Sequence, residues 1–416
     1  MKFKFNYSFV YLLYLVFPLV LISSCKDESI EEEKVILIKN SSTAADEAQM
    51  AFIEVEEGYT IQFEGGTYDF TNTLSMDGKT NIVIKGAGRE VTYLNFSGQT
   101  AGGEGVLVTN SSNIRFENLS IIDATGDALK ARDCDRISFV GVGTIWSGTP
   151  DAGNGAYGLY PVLCTEVYID NCYAYGASDA GIYVGQSDKV IVKNSLAEGN
   201  VAGIEIENTT NADVFDNEAT DNTGGILVFD LPGLTQYGSH VRVFNNNVYD
   251  NNRANFAPSG NIVGNVPAGT GCMILSTNTV EIFNNSLSEN DFAGILVASY
   301  LIINDTPNDP NFQPLPYSIF IHDNSHTMTG TISAANQPSL VADIINLLVS
   351  NNLDQPNILL DGLILLPTAV CVQEDAGTSF VNMNALNDMS FQSIITDISV
   401  HDCTQTPLSA VEFDPF

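Results

Sequence analysis

Gly158-Leu-Tyr160, Gly181-Ile-Tyr183, Gly203-Ile-Glu205 and Gly225-Ile-Leu227 recur at spacings of 23, 22 and 22 residues. Before the last three stand short β-branched runs, Val167-Tyr-Ile169, Val190-Ile-Val192 and Ala212-Asp-Val214, each leading two residues on to Asn171, Asn194 or Asp216. A fixed period in the low twenties, with short strands between Asn and Gly turns, predicts a β-solenoid. One turn of such a chain cannot bury its own apolar side and must stack on the next.

The same register extends both ways. Ile114-Arg-Phe116 leads to Asn118, Ile137-Ser-Phe139 to Gly141, Val241-Arg-Val243 to Asn245, Val280-Glu-Ile282 to Asn284 and Ile319-Phe-Ile321 to Asp323. Asn and Asp tolerate left-handed backbone, so a stacked column of them is expected to satisfy the backbone of a tight bend. The fold class follows: all-β, a single-stranded parallel β-helix of about ten coils, wound right-handed as parallel crossovers are. The helix is assigned to residues 42–335. At its start, Thr43 and Asp46 have capping-box spacing, and Ala48, Ala51, Phe52 and Val55 follow at helical intervals, predicting an N-terminal helical cap over the open end. Beyond residue 335 the period fades. Leu340 to Val349 reads as an amphipathic helix, and Asn357 to Leu366 and Ala369 to Val372 as closing strands, so 336–416 is expected to be an irregular C-terminal cap. Insertions at 143–156, 231–240, 253–268 and 301–316 break the period; in solenoids such insertions become loops around a binding face.

Acidic residues outnumber basic ones 50 to 16, a formal charge of −34. Such a chain repels nucleic acid. The acidity serves solubility, or it draws divalent cations; calcium is the only cofactor it suggests.

Lys2 and Lys4, the apolar run Val10 to Ile22 and the small pair Ser23-Ser24 form an export signal over residues 1–24. Leu21 to Cys25 resembles the bacterial lipobox, which implies lipidation of Cys25 and attachment to a bilayer through acyl chains. Residues 25–41 are acidic at first, with Lys26-Asp-Glu28 and Glu31-Glu-Glu33, and resemble the tether of outer-membrane lipoproteins displayed at the cell surface. They end in an expected strand, Val35 to Ile38. No later apolar run reaches membrane-spanning length.

Six further cysteines remain. Cys134 and Cys164 fall in one corner column with Ser187, Thr209 and Thr277, and are expected to be buried free thiols. Cys371 and Cys403 are the disulfide candidates, since a weak C-terminal cap gains most from a staple. No Cys-x-x-Cys is present, so neither a zinc ribbon nor attached haem is encoded. His322 and His326 are four apart on a strand–turn segment, not a helix, which disfavours a metal pair.

Alternation after each repeat glycine turns one row of side chains outward: Lys130, Tyr160, Tyr183, Glu205, Leu227, Met273 and Leu296. A parallel row reads Arg132, Val162, Gly185, Glu207, Phe229, Leu275 and Ala298. The rows pass from basic residues through tyrosines to a carboxylate pair and then to an apolar end, with insertions on both sides. Tyrosines stack on sugar faces while charges orient them, so Tyr160, Asp179, Tyr183, Glu205, Glu207 and Asp230 are the candidate ligand-binding residues. As catalysts, Glu205 and Glu207 would stand roughly 6.6 Å apart on one strand face, near the lower limit for an inverting glycosidase pair. Lys130, Arg132, Tyr160 or Tyr183 would instead serve elimination or epimerisation of a uronate. The plainer reading is a solvent-washed strand of polar residues.

Ala177-Ser-Asp-Ala-Gly-Ile-Tyr-Val184, Val201-Ala-Gly-Ile-Glu-Ile-Glu-Asn208 and Gly224 to Gly233 resemble exported, often lipidated right-handed β-helix repeat proteins of the pectate-lyase-like superfamily. The resemblance covers about residues 50–330. The resembled group has no assigned activity and its superfamily includes binding and structural members; the resemblance implies an exported cytochrome-like partner, beside which the chain would be a non-catalytic envelope scaffold. The superfamily's enzymatic signatures are missing. The epimerase Asp-Pro-His is absent: Asp309-Pro310 is followed by Asn311, and Asp414-Pro415 by Phe416. The polygalacturonase Gly-His-Gly and Arg-x-Lys are absent too, and Lys130-Ala-Arg132 reverses the latter. Three functions stay open: a surface glycan-binding or glycan-modifying lipoprotein, a uronate lyase or C5-epimerase, and a scaffold, each expected as a monomer.

Overall fold

A computed structural model describes residues 34–303, 307–328, 330–335, 337–353 and 355–416. The export signal, Cys25 and the acidic part of the tether lie outside the described residues.

Each coil contributes one strand to each of three parallel sheets. Thr165–Asp170, Tyr173–Tyr175 and Ala180–Gly185 make one coil, and Asp188–Lys193 begins the next. Among the described residues the first sheet has 12 strands, the second 10 and the third 11, stacked in chain order as a parallel β-helix. Register is strict: Val167 pairs with Val190, Val190 with Ala212, and Ala212 with Val241, so like residues stack and fill the interior. The third sheet runs from Asn72–Asp77 to Phe380–Asn382 and carries both outward rows described above.

The expected bend column exists. Asn118, Asn171, Asn194, Asp216, Asn245, Asn284 and Asp323 all have φ between 50° and 56°. The hydrogen-bonded ladder, however, lies one residue later. Asn217, Asn246, Asn285 and Asn324 are buried, and each amide bonds the next at 2.9–3.0 Å. A second buried ladder, Asn200, Asn222, Asn251 and Asn290, lines the turn before the third sheet. Left-handed residues turn the chain, and the inward amides behind them close its hydrogen bonds.

At the N-terminal end, helix Ala44–Glu54 follows strand Val35–Ile38 and buries Ala44, Ala48, Ala51 and Phe52. Thr43 is its N-cap but makes no capping bond; its hydroxyl instead donates to Glu47 Oε1 at 2.6 Å, so the capping box is not formed. The C-terminal region holds the expected helix and closing strands. Strands Ile358–Leu360, Val370–Gln373 and Phe380–Asn382 continue the sheets past residue 335. Helix Ser339–Ser350 lays Val341, Ile345 and Leu348 in a second core outside the barrel, with Leu227, Met273, Leu296 and Leu359. The final residues run back across the first sheet: Leu408 N–H reaches Glu281, Val411 N–H reaches Asp213, and Arg115 reaches the Phe416 carbonyl oxygen.

Candidate functional site

The ladder on the outward side of the third sheet is the one read from the repeat. Lys130 pairs with Tyr160, Tyr183 with Glu205, and Glu205 with Leu227; in the neighbouring row Gly185 pairs with Glu207. Its exposure differs from the expectation. Tyr183 is 4% and Glu205 3% exposed, and Asp179 and Asp230 are buried. Lys130, Tyr160 and Glu207 are half-buried, and Arg132 alone is exposed. The covering comes from the insertions: Val263 and Val266 are buried against this face, with Ile262 and Tyr157 packed beside them. An open floor with Tyr183 and Glu205 bare to solvent is therefore corrected to an enclosed cluster with a half-buried rim.

Tyr157, which the repeat did not single out, completes that rim. It directly follows the 143–156 insertion, just before Gly158, and its ring centre is 4.5 Å from those of both Tyr160 and Tyr183, themselves 4.9 Å apart. Its hydroxyl donates to Asp179 Oδ2 at 3.4 Å, and Asn261 of the next insertion donates to the same oxygen at 3.2 Å. The Tyr183 hydroxyl donates to Glu207 Oε1 at 2.7 Å. Asp230 Oδ1 accepts from the Gly238 amide at 2.8 Å, a turn role that pins the 231–238 loop.

Four carboxyls thus sit among aromatic rings with little water. Burial, reinforced by the charges of Asp179 and Glu207, pushes Glu205 well above the usual carboxylate range. Burial and Glu207 push Asp179 to about 7, and burial, with a smaller push from Glu207, does the same to Asp230. Burial also raises Glu207, against the donation from Tyr183. Tyr160 is pushed up to about 12 by burial and the charge of Asp127. Asp179 and Asp230 are therefore poised near neutral pH.

The basic candidates are already engaged. Lys130 Nζ lies 3.2 Å from Asp127 Oδ2, 3.6 Å from Glu104 Oε1 and 4.5 Å from the centre of the Tyr160 ring. Arg132 pairs with Asp133 at 3.1 Å on the surface. Elimination or epimerisation of a uronate needs a cation to neutralise the substrate carboxylate, and neither residue is unpaired to supply one. An inverting hydrolase needs two carboxyls facing one water, whereas Glu207 is engaged by the Tyr183 hydroxyl. Among the described residues no three His, Cys, Asp or Glu side chains are arranged to hold a metal ion, the acidic cluster included.

Cys371 and Cys403 are joined in a disulfide, and Cys134, Cys164, Cys172 and Cys272 are free and buried. The corner column is real: the Cys164 amide donates to Ser187 Oγ, and the Ser187 amide to Thr209 Oγ1. His322 bonds Glu281 and Asp323 and stacks on Phe283, whereas His326 lies 3.8 Å from Glu374.

Residues 144–306 match the family described as right handed beta helix region. The chain has the right-handed parallel β-helix fold. Two solved structures resemble this β-helix protein over most of its length. A hyperthermoactive exopolygalacturonase from Thermotoga maritima aligns with TM-score 0.51 and 10% identity, covering 84% of this chain and 91% of that one. The A-module of mannuronan C-5 epimerase AlgE6 from Azotobacter vinelandii aligns with TM-score 0.50 and 15% identity, covering 81% and 88%. At these identities the likeness concerns the fold. Comparison with curated protein sequences returned no match.

Proposed function

We propose that this β-helix protein binds a glycan at the rim formed by Tyr157, Tyr160 and Glu207, acting outside the cell as a lipoprotein acylated at Cys25. The observation that carries the reading is the three-tyrosine cluster, with rings 4.5–4.9 Å apart, opening at Tyr157 and Tyr160 beside a half-buried carboxyl. Aromatic faces take up the apolar faces of sugar rings, and a carboxyl beside them fixes orientation by accepting from hydroxyls. Two proteins that share the fold are named for carbohydrate substrates, in agreement with this class. The engaged Lys130 and the surrounding carboxyls disfavour polyuronates.

A broad glycan array tests the reading. The soluble protein from residue 34 onward should retain a subset of glycans, and Tyr160→Ala and Glu207→Gln should each weaken retention about tenfold. No retention by the unsubstituted protein would sink it. The anchor is tested separately: a fatty-acid analogue should label the full chain in cells, Cys25→Ala should not be labelled, and external protease should remove the protein from intact cells.

A further inference from the structure

The enclosed carboxyls repeat, beside Tyr160, a set of groups that already holds an ammonium. Lys130 places its amine over the Tyr160 ring and between Asp127 and Glu104, at the distances given above. Next to it, Tyr157 and Tyr183 stand 4.5 Å apart, with Asp179, Glu205 and Glu207 around them. Here, among the described residues, no lysine or arginine pairs with any of the three carboxyls. Glu205 Oε2 is buried without a hydrogen-bond partner, although it sits within the field of Asp179 and Glu207. A buried carboxyl left unpaired is costly, and an ammonium between aromatic faces and carboxylates is favoured by cation–π attraction and by charge.

We propose that the Tyr157–Tyr183–Glu205–Glu207 cluster takes the ammonium group of an amino sugar, so that the glycan recognised carries free hexosamine. The inference rests on the glycan-binding reading and narrows it to a cationic class. The ammonium enters between Tyr157 and Glu207, which are half-buried, while the sugar ring stays on Tyr160. One of its donors meets Glu205 Oε2, the acceptor left without a partner. A sugar hydroxyl brings no charge to offset the carboxyls, an N-acetyl group hides the amine, and a uronate meets like charge. Burial raises Glu205 and Glu207 and holds Asp179 at about 7, so an arriving cation shifts these groups toward the charged form and releases protons to solvent.

Isothermal titration with a glucosamine oligomer and its N-acetylated counterpart, at ~0.15 M salt to screen the surface charge, tests this. The free-amine oligomer should bind about tenfold more tightly, with a heat that changes with the ionisation enthalpy of the buffer. In Glu205→Gln that preference should vanish. Equal affinity for the two oligomers, or binding of neither, overturns the inference and leaves the glycan reading standing as long as the array retains other glycans. A preference that survives in Glu205→Gln would come from the overall charge of −34 and also overturns it. Should Glu205→Gln not fold, judged by cooperative melting, Glu207→Gln at the half-buried rim carries the same comparison.

Discussion

The Tyr183 hydroxyl reaches Glu207 across a residue that has no side chain. A Cβ built on Gly185 would lie 2.5 Å from both Cε1 and Oη of Tyr183, so the glycine is the slot in which the ring lies on its way to the carboxyl. Gly185→Ala should therefore displace the ring and break the bond, costing about 1–3 kcal/mol as overpacking does. Tyr183→Phe removes the same bond without the clash and should cost about 1 kcal/mol. The two substitutions act on one contact, so urea unfolding of the double variant should show less than their sum. Full additivity would mean that Gly185 serves another neighbour.

Asp179 and Asp230, each pushed to about 7 from an ordinary 3.8, set the sign of a pH effect. The folded state holds their protons more tightly than the unfolded state. The stability they contribute is complete below about pH 4 and is lost as pH rises through about 7. Glu166, held low chiefly by its bond from Arg136, works in the opposite sense, but its contribution fades only as pH falls through its lowered folded value. The melting temperature should thus fall between pH 5 and pH 8, and Asp230→Asn should flatten that slope. A protein that melts higher at pH 8 than at pH 5 would contradict this assignment.

Asn222 holds four bonds within the interior: its Nδ2 donates to Ala197 O and Asn251 Oδ1, and its Oδ1 accepts from the Asn200 amide and side chain. Asn222→Ala strands these partners away from water, each at about 1–3 kcal/mol. The urea midpoint should fall by about 3 kcal/mol or more in stability, at unchanged slope. Asn194, at the exposed bend with φ 50°, should cost only about 1–2 kcal/mol when replaced by Ala. Equal costs at the two positions would erase the distinction between the turning column and the bonding ladder.

That distinction also marks how far the sequence could be read. The repeat glycines and the Ile182, Ile204 and Ile226 column placed the central strands of the third sheet, because stacking forces like residues into register. Hence the outward neighbours of Lys130 and Glu205 were legible from the period. Their burial was not. Exposure depends on where the insertions fold back, and 250–269 carries no period from which Val263 or Asn261 could be aimed at this face. Tyr157 was missed for a related reason: it falls between the 143–156 insertion and the repeat glycine Gly158, outside both outward rows. The first sheet's covering was equally hidden, since nothing local in Leu408 or Val411 points to Glu281 or Asp213.

The covering segment leads to the last prediction. Cys403 starts it, bonded to Cys371 in strand Val370–Gln373, and Gln405 donates to Ile319 O at 3.0 Å just beyond. From there the segment crosses coil after coil on single hydrogen bonds, to Glu281 at 2.9 Å, Asp213 at 3.0 Å and Arg115 at 2.8 Å. Such sparse contacts cannot order an extended chain unless one end is fixed, because each residue held loses roughly 1–2 kcal/mol of backbone entropy. The disulfide supplies that end, closing a separation of 32 residues, worth about 3–4 kcal/mol by loop entropy. Replacing both cysteines by serine should free the segment while the coils, stabilised by nearest neighbours, stay folded. Limited proteolysis read by mass spectrometry should then cut within residues 404–416 of the double variant, with the main melting transition nearly unmoved. A segment as resistant in the variant as in the disulfide-bonded protein would show that its hydrogen bonds suffice without the staple.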